Sequence, residues 1–483
     1  MSETDLDTAP REKPLRDEQL RDITPPSPPE APHDEDDRLS PEFVDAVLDH
    51  VDAGEIDAAR ALVAPLHPAD IADLFELTPA DRRRQLASAL AEMLDADVFA
   101  ELNDWVREEL MEALGPAEVA ELATQLDTDD AVAIIEDMEE EDQRAVLRAM
   151  EPDDRAAIEE ALSYPEESAG RLMQRDLIAV PEHWSVGDVL DYLRRNEDLT
   201  TDFWEVFVVD HGHHPVGTCK LSWILRSPRN VAIADVMQRE QSLIPVDMDQ
   251  EEVALRFQKY ALISAAVVDP NNRLVGMITV DDVVHIIQEE AGEDALRLSG
   301  AGDGDINEPI LLTVRGRLIW LVVNLGTAMI AASVVGLFRD EIAKFALLAA
   351  LMGIVSGMGG NAGTQTLAVV VRALATNQLT SSNTFRMIYR EFRIAAANGS
   401  VLGLLIGTGS YLLYGNPLLS AVFGLAILIN NLIAGSAGVM VPLTLERMRV
   451  DPAVSSAVFV TMMTDTLGFF TFLGLAAAVG LTG

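Results

Sequence analysis

Apolar positions along the chain fall into three regimes. In the C-terminal part, five long apolar runs lie at about 318–338, 346–371, 394–414, 418–443 and 453–480. At 1.5 Å rise per residue each is long enough to cross a hydrocarbon core of about 30 Å, so each predicts a membrane-spanning helix. Between residues 40 and 165 apolar positions recur instead behind repeated start signals, HPAD (67–70), TPAD (78–81), GPAE (115–118), DTDD (127–130) and EPDD (151–154). Each puts Pro, Asp, Ser or Thr at a helix start and Asp or Glu in the first turn, where the helix dipole favours negative charge. Short helices stacked as a superhelix are the expected result. From 166 to 289 the pattern reads strand, helix, two short strands around a turn, then helix, and it occurs twice.

The two copies at 166–230 and 231–289 share sequence as well as pattern. Leu172-Met173-Gln174-Arg175 recurs as Val236-Met237-Gln238-Arg239, and Val208-Val209-Asp210 with Val216-Gly217 recurs as Val267-Val268-Asp269 with Val275-Gly276. The offset falls from 64 to 59 between these pairs, so the first copy carries five extra residues before its core strand. The unit resembles a tandem pair of CBS domains, a module that senses a small ligand or ion. An acidic helical connector follows from Asp281, interrupted by a Gly-rich stretch at Gly300–Gly304, and its part from 290 to 317 leads into the first span. Residues 1–39, rich in Pro, Asp and Glu, cannot bury a core and read as a disordered tail. The expected fold class is therefore multidomain: an all-α superhelical N domain (40–165), α/β tandem CBS domains, a connecting helix (290–317) and a five-helix transmembrane domain (318–483).

Charge separates the halves. The chain carries a formal −44, yet from Leu311 onward ten basic residues outnumber six acidic ones, which leaves −48 on residues 1–310. Such a surface excludes nucleic acid as a partner, because phosphate binding needs clustered Lys and Arg. It fits a soluble region that collects divalent cations, and equally a proteome adapted to salt. Only Arg339 and Lys344 lie between the first two spans; the other eight basic residues precede span one or follow spans two and four. The positive-inside rule then places the soluble half in the cytoplasm, and an odd number of spans leaves the C-terminus outside. The N-terminal MSETDLDTAPREK has no apolar core, so no cleavable signal peptide is expected. The lone Cys219 excludes an intramolecular disulfide and reads as a buried, incidental thiol.

Within the spans the polar residues stand out. Asp465 is the only ionisable residue in about 28 apolar or small positions from Ala453 to Gly480. A carboxylate near the centre of a spanning helix costs roughly 2.5–3.5 kcal/mol on insertion scales, so it faces a bundle interior or a hydrated path. Thr461 and Gly468 share its helix face. Span two contains Gly357-Met358-Gly359-Gly360-Asn361-Ala362-Gly363-Thr364-Gln365. Gly359 and Gly363 have the spacing of close helix packing, whereas Asn361, Thr364 and Gln365 favour a pore lining. In span four, Asn430, Asn431, Gly435 and Gly438 fit packing and pore lining equally. No span holds His or Cys, and His211, His213 and His214 read as loop residues at the surface, so a soft transition-metal site is not expected. A hydrated Mg²⁺, held through one or two carboxylates, would suit a pair of Asp465 side chains facing each other across a two-fold dimer axis.

These motifs together resemble the MgtE family of magnesium channels and transporters over about residues 40–480. GMGGNAGTQ with VRALA (371–375) and DPAVSSAVFVTMMTDTLGFF carry the resemblance, supported by YPEESAGRLM and by VDDVV and EEAGED within 280–294. The resemblance implies Mg²⁺ uptake across the inner membrane by a homodimer in the lipid bilayer, closed when cytosolic Mg²⁺ binds acidic clusters. It places the filter carboxylate on Asp465 and the glycines beside the central ion on Gly357 and Gly360. A polar pore position that is Asn in some members falls on Thr364, and Asn361 and Thr461 lie in the same neighbourhood. Cytosolic sensing positions fall on Asp249, Glu251, Asp282, Glu290, Glu293 and Asp294, with Asp129 and Asp130 as N-domain contributors. Ala261 and His285 stand where the family commonly has Asp, so at least one sensing site is weakened or missing. An adenine nucleotide at the CBS pair is a further candidate ligand. The alternatives are a carrier of Mn²⁺ or Co²⁺ and a membrane-anchored CBS sensor that transports nothing. An enzyme is not expected, because no motif pairs a nucleophile with a base and no phosphate loop or zinc spacing occurs.

Overall fold

The start signals open helices where the sequence places them. Helices begin at Pro68, Ala80, Pro116, Thr128 and Pro152, and Ser40 caps the helix Pro41–Asp52 by accepting from the Phe43 amide at 3.2 Å. The computed structural model describes residues 32–34, 38–112, 114–136, 138–196, 203–299, 307–380, 382–453 and 456–481, apart from the side chains of Asp294 and Ser299. Two units divide between Ile158 and Glu159. Most of the expected tail, the Gly-rich stretch at Gly300–Gly304 and residues 197–202 ahead of the first copy's core strand lie outside the described residues.

The first unit is all helical among its described residues, around a core that includes Leu74, Phe75, Leu86, Val106, Ile135 and Val146. Short helices leave many orphan backbone carbonyls, and a buried arginine satisfies several of them. Arg83 donates to Phe75 O at 3.0 Å and Thr78 O at 3.1 Å while pairing with Glu109. The far end of the expected tail is ordered here. Leu39 is buried and His33 lies 3.0 Å from Asp70, because Leu39 supplies the apolar anchor that the preceding acidic run lacks.

In the second unit each CBS copy forms a three-stranded sheet. Strands β1 (Ala179–Pro181), β2 (Glu205–Val209) and β3 (Pro215–Lys220) run in that order, as do β4 (Ile244–Pro245), β5 (Ser264–Val268) and β6 (Leu274–Thr279). The first pair in each sheet is parallel and the second antiparallel, with a matching irregularity at Val208/Val209 and Val267/Val268. The repeated tetrapeptides are exchanged between the copies. Gln174 pairs with Met277 on β6, and Gln238 pairs with Thr218 on β3. The repeated Val-Gly serves that exchange: a Cβ on Gly276 would lie 2.9 Å from the Gln174 carbonyl, and one on Gly217 would lie 2.7 Å from that of Gln238. Asp210 and Asp269 each close the following turn by accepting two backbone amides, which holds both carboxyls below the usual range. Cys219 is buried, and desolvation followed by the Glu205 charge pushes its thiol up to about 11. His211 and His213 are exposed, and His214 is half-buried beside Asp210 at 3.0 Å.

A single helix, Val280–Ser299, leaves the second copy. Five helices long and apolar enough to cross a membrane follow: span one Ile310–Leu337, span two Leu347–Ala375, span three Thr384–Tyr414, span four Pro417–Arg447 and span five Ser456–Ala478. Span four is the axis of the bundle, packing on spans two, three and five, whereas span one is almost wholly exposed. Span three starts ten residues before its apolar run, at Thr384 rather than 394. Arginines interrupt the hydropathy there without interrupting the helix, since Arg is a good helix former.

Candidate functional site

Asp465 sits midway along span five, half-buried, and accepts a hydrogen bond from the Ser356 hydroxyl of span two. Ser356 immediately precedes the Gly-rich run, and nothing local marks it as a partner of a residue so distant in sequence. The contact fixes one carboxylate oxygen and brings span two's glycine face beside the charge. Along that face a Cβ added at Gly353, Gly357 or Gly360 would meet nothing within 4 Å. Asn361 and Thr364 are exposed on the same side, and the Thr364 hydroxyl donates to Gly360 O at 2.9 Å while its oxygen still can accept. Thr461 lies half-buried one turn before Asp465.

The other glycines of the run are closed. A Cβ at Gly359 would lie 2.1 Å from Asn430 Nδ2, and one at Gly363 would lie 2.5 Å from Val460. The segment therefore has a packed side at Gly359 and Gly363 and an open side at Gly353, Gly357 and Gly360, on different faces of one helix. Asn430 is fully buried and donates to Val355 O at 2.8 Å. It is clamped from the other side by Gly468, whose added Cβ would lie 2.8 Å from Nδ2. One expectation is corrected here, and one open alternative is decided. Gly468 belongs to the packing of spans four and five rather than to the open face at Asp465, and the asparagines of span four are packing residues. Asn431 likewise is buried and donates to Ile427 O at 2.9 Å.

The acidic residues of the soluble half occupy several places. Asp129 and Asp130 stand in the first turn of the helix Thr128–Glu136 in the first unit. In the second unit Asp249 caps the helix Gln250–Tyr260, accepting from the Glu251 amide at 3.0 Å. Asp282 accepts from Thr279 Oγ1 at 2.6 Å and Gln174 Nε2 at 3.3 Å, and Glu290 accepts from Gln250 Nε2 at 2.7 Å. Glu293 pairs with Arg297 on the same helix; the side chain of Asp294 lies outside the described residues. Among the described residues no three His, Cys, Asp or Glu side chains gather closely enough to hold one ion. Asp249, Glu251 and Glu252 do share a cavity of about 510 Å³ with Glu446 and Asp451 of the membrane half. His285 is exposed, and Ala261 takes the left-handed C-terminal position of its helix, at φ 50°.

Arg297 links these parts. Its Nη1 lies 3.0 Å from Asp451 Oδ2, just ahead of span five, and neighbouring Leu298 packs against Leu367, Val371, Ala437, Ala453 and Val460. The end of the connector thus rests on the ends of spans two, four and five. Neither Arg297 nor Asp451 was marked by sequence as a contact, because the pair is separated by 154 positions.

An apolar five-helix bundle with a half-buried carboxylate midway along its last span, entered by a helix from paired CBS domains, has the layout of a multi-pass membrane transporter. Residues 352–475 match the MgtE family of divalent cation transporters, residues 66–167 the MgtE intracellular N domain, and residues 169–221 and 233–289 the CBS domain. The chain is 30% identical to the magnesium transporter MgtE of Bacillus subtilis (strain 168), over 88% of its own length and 94% of that protein's. It is 29% identical to the magnesium transporter MgtE of Thermus thermophilus over 88% and 95% of the two lengths, and 30% identical to that of Enterococcus faecalis over 66% and 70%. The chain belongs to the MgtE family, which is a family of transporters and not of enzymes.

Proposed function

We propose that two copies of this chain form a homodimer in the inner membrane, with the soluble half in the cytoplasm, that admits Mg²⁺ and closes when cytosolic Mg²⁺ is high. The observation that carries the reading is the Ser356–Asp465 contact beside the open face at Gly353, Gly357 and Gly360. One Asp465 supplies a single charge, and a twin across a two-fold axis supplies the second. Mg²⁺ surrenders its waters reluctantly, so the pair would hold it through its hydration shell, with the span-two backbone and the hydroxyls of Thr364 and Thr461 receiving the waters. Ser356 occupies one oxygen of Asp465 and leaves the other turned to the shell. All-oxygen ligation favours a hard dication, and the names of the relatives support Mg²⁺ as that ion.

Closure follows from the cavity between the second CBS copy and the membrane half. Its five carboxylates outnumber the two arginines that pair with them, Arg256 on Glu252 and Arg297 on Asp451, so the cavity stays acidic and cations in it would draw the two walls together. The connector end at Arg297 and Leu298 would then be held on spans two and five; loss of the cations frees it. Asp282, Glu290, Glu293 and Asp294, and Asp129 and Asp130 of the first unit, add to this sensing charge. An adenine nucleotide at the CBS pair is a further regulatory ligand in this reading, supported by the paired CBS fold alone. Uptake assays on Asp249→Asn/Glu251→Gln test the gate: inhibition by internal Mg²⁺ should weaken, and unchanged inhibition would rule the cavity out as sensor.

A further inference from the structure

The ion path leaves unused the most basic feature of the membrane half. Where span two ends and span three begins, Arg372, Arg386 and Arg390 converge with Gln378 and Asn383 on a cavity of about 420 Å³. Among the described residues Arg372 and Arg386 form no ion pair, and Arg390 lies 3.3 Å from the buried carboxylate of Glu391. On a chain of net charge −44, unpaired guanidiniums around one cavity are not a solvated average of the surface. The loop is also organised. Asn383 accepts from the Thr380 amide at 2.8 Å and donates to Gln378 O at 2.8 Å, which holds the two helix ends in register.

The surroundings are those of a membrane interface. Phe385, Tyr389 and Phe392 are exposed and alternate with the arginines on the first turns of span three, and Arg393 lies over the Tyr389 ring at 5.8 Å. Amphipathic aromatics interleaved with Arg sit at headgroup depth. Val369 gives the cavity an exposed apolar wall on span two. The cavity opens on the leaflet that faces the CBS pair, since Asn377 of the same loop lines a cavity with Gln241 and Lys259 of the second copy.

We propose that this cavity binds the phosphate of an anionic phospholipid from that leaflet. Arg372, Arg386 and Arg390 would grip the phosphate oxygens as planar, paired donors, Asn383 and Gln378 would add neutral contacts, and the acyl chains would run along Val369 and the exposed aromatics. Orientation by the positive-inside rule alone needs basic residues in this loop, but needs neither their convergence on one cavity nor its apolar wall. Because the cavity joins spans two and three, a bound lipid would steady span two, which carries the glycine face.

The test uses the full-length protein in phosphatidylcholine nanodiscs with and without phosphatidylglycerol, with retained lipid read by native mass spectrometry after release. Wild type should retain phosphatidylglycerol, and Arg372→Gln/Arg386→Gln should lower its apparent affinity roughly twenty-five-fold, about fivefold per arginine. Arg447→Gln/Arg449→Gln, on the same side but outside the cavity, should retain it as wild type does. Thermal melting identifies a variant that has lost its fold, and Arg372→Lys/Arg386→Lys, which keeps the charge and loses the paired donors, should give intermediate retention. Equal retention by wild type and the Gln variant, equal loss in the Arg447/Arg449 control, or displacement of the lipid by millimolar inorganic phosphate would each overturn the assignment.

Discussion

Ser356 on span two donates its hydroxyl to Asp465 on span five, so the one carboxylate of the last span is held by the helix that carries the open glycine face. This relationship joins charge, orientation and path in a single contact, and most of what can be tested starts from it.

Removing the hydroxyl should impair conduction without unfolding the protein. A hydrogen bond to a charged group is worth about 1.5–3 kcal/mol, so we predict that Ser356→Ala lowers Mg²⁺ flux in liposomes roughly tenfold and the melting temperature by several degrees, with the protein still folded. Wild-type flux would mean that Ser356 does not position the carboxylate.

The two faces of span two make opposite predictions for the same substitution. Gly359→Ala must displace Asn430 and should destabilise the bundle by about 1–3 kcal/mol, read as a lower melting temperature. Gly360→Ala meets open space, so the melting temperature should hold while Mg²⁺ flux falls. Equal effects of the two on both readouts would contradict the division of the helix into a packed and an open side.

The connector's grip on span five depends on a partly exposed pair. Arg297 and Asp451 at 3.0 Å, each about one-third exposed, are worth about 0.2–1 kcal/mol after screening. Arg297→Ala and Asp451→Asn should each raise the internal Mg²⁺ needed for half-closure by a factor of up to about five, and the double variant should add little more. Fully additive shifts would show that the two residues act separately.

Burial makes a prediction about chemistry. With its thiol pushed up to about 11, Cys219 is almost entirely protonated near neutral pH, and its thiolate fraction grows only as pH approaches that value. Alkylation by iodoacetamide at about pH 8 should therefore be negligible in the folded protein and complete after denaturation. Rapid alkylation of the native protein would place Cys219 at the surface instead.

What was legible in the sequence was local. The start signals at Pro68, Ala80, Pro116, Thr128 and Pro152, the doubled CBS pattern and the five apolar runs are all written in neighbouring residues, and each became the element expected. Asp465 was legible because an unpaired charge in an apolar helix is costly wherever it points. Contacts between distant helices left no such mark. Ser356 looks like any small polar residue, Gly468 shares the Asp465 face by helical spacing yet closes on Asn430, and Arg297 reads as part of a solvated charge run. The Met-Gln-Arg and Val-Gly repeats were visible as repetition, but their exchange between the copies needed the sheets themselves. Arginine also hid the start of span three, because hydropathy falls at Arg386, Arg390 and Arg393 while helix propensity does not.

The role of Asp465 is decided by Mg²⁺ flux into liposomes by the full-length protein, wild type against Asp465→Asn, with Mn²⁺ and Co²⁺ measured in parallel. Asparagine keeps the size of the side chain and an acceptor for Ser356, so only the charge is lost. Wild type should carry Mg²⁺ and Asp465→Asn should show only background flux; equal Mg²⁺ flux through both would mean that the Asp465 charge does not serve the ion.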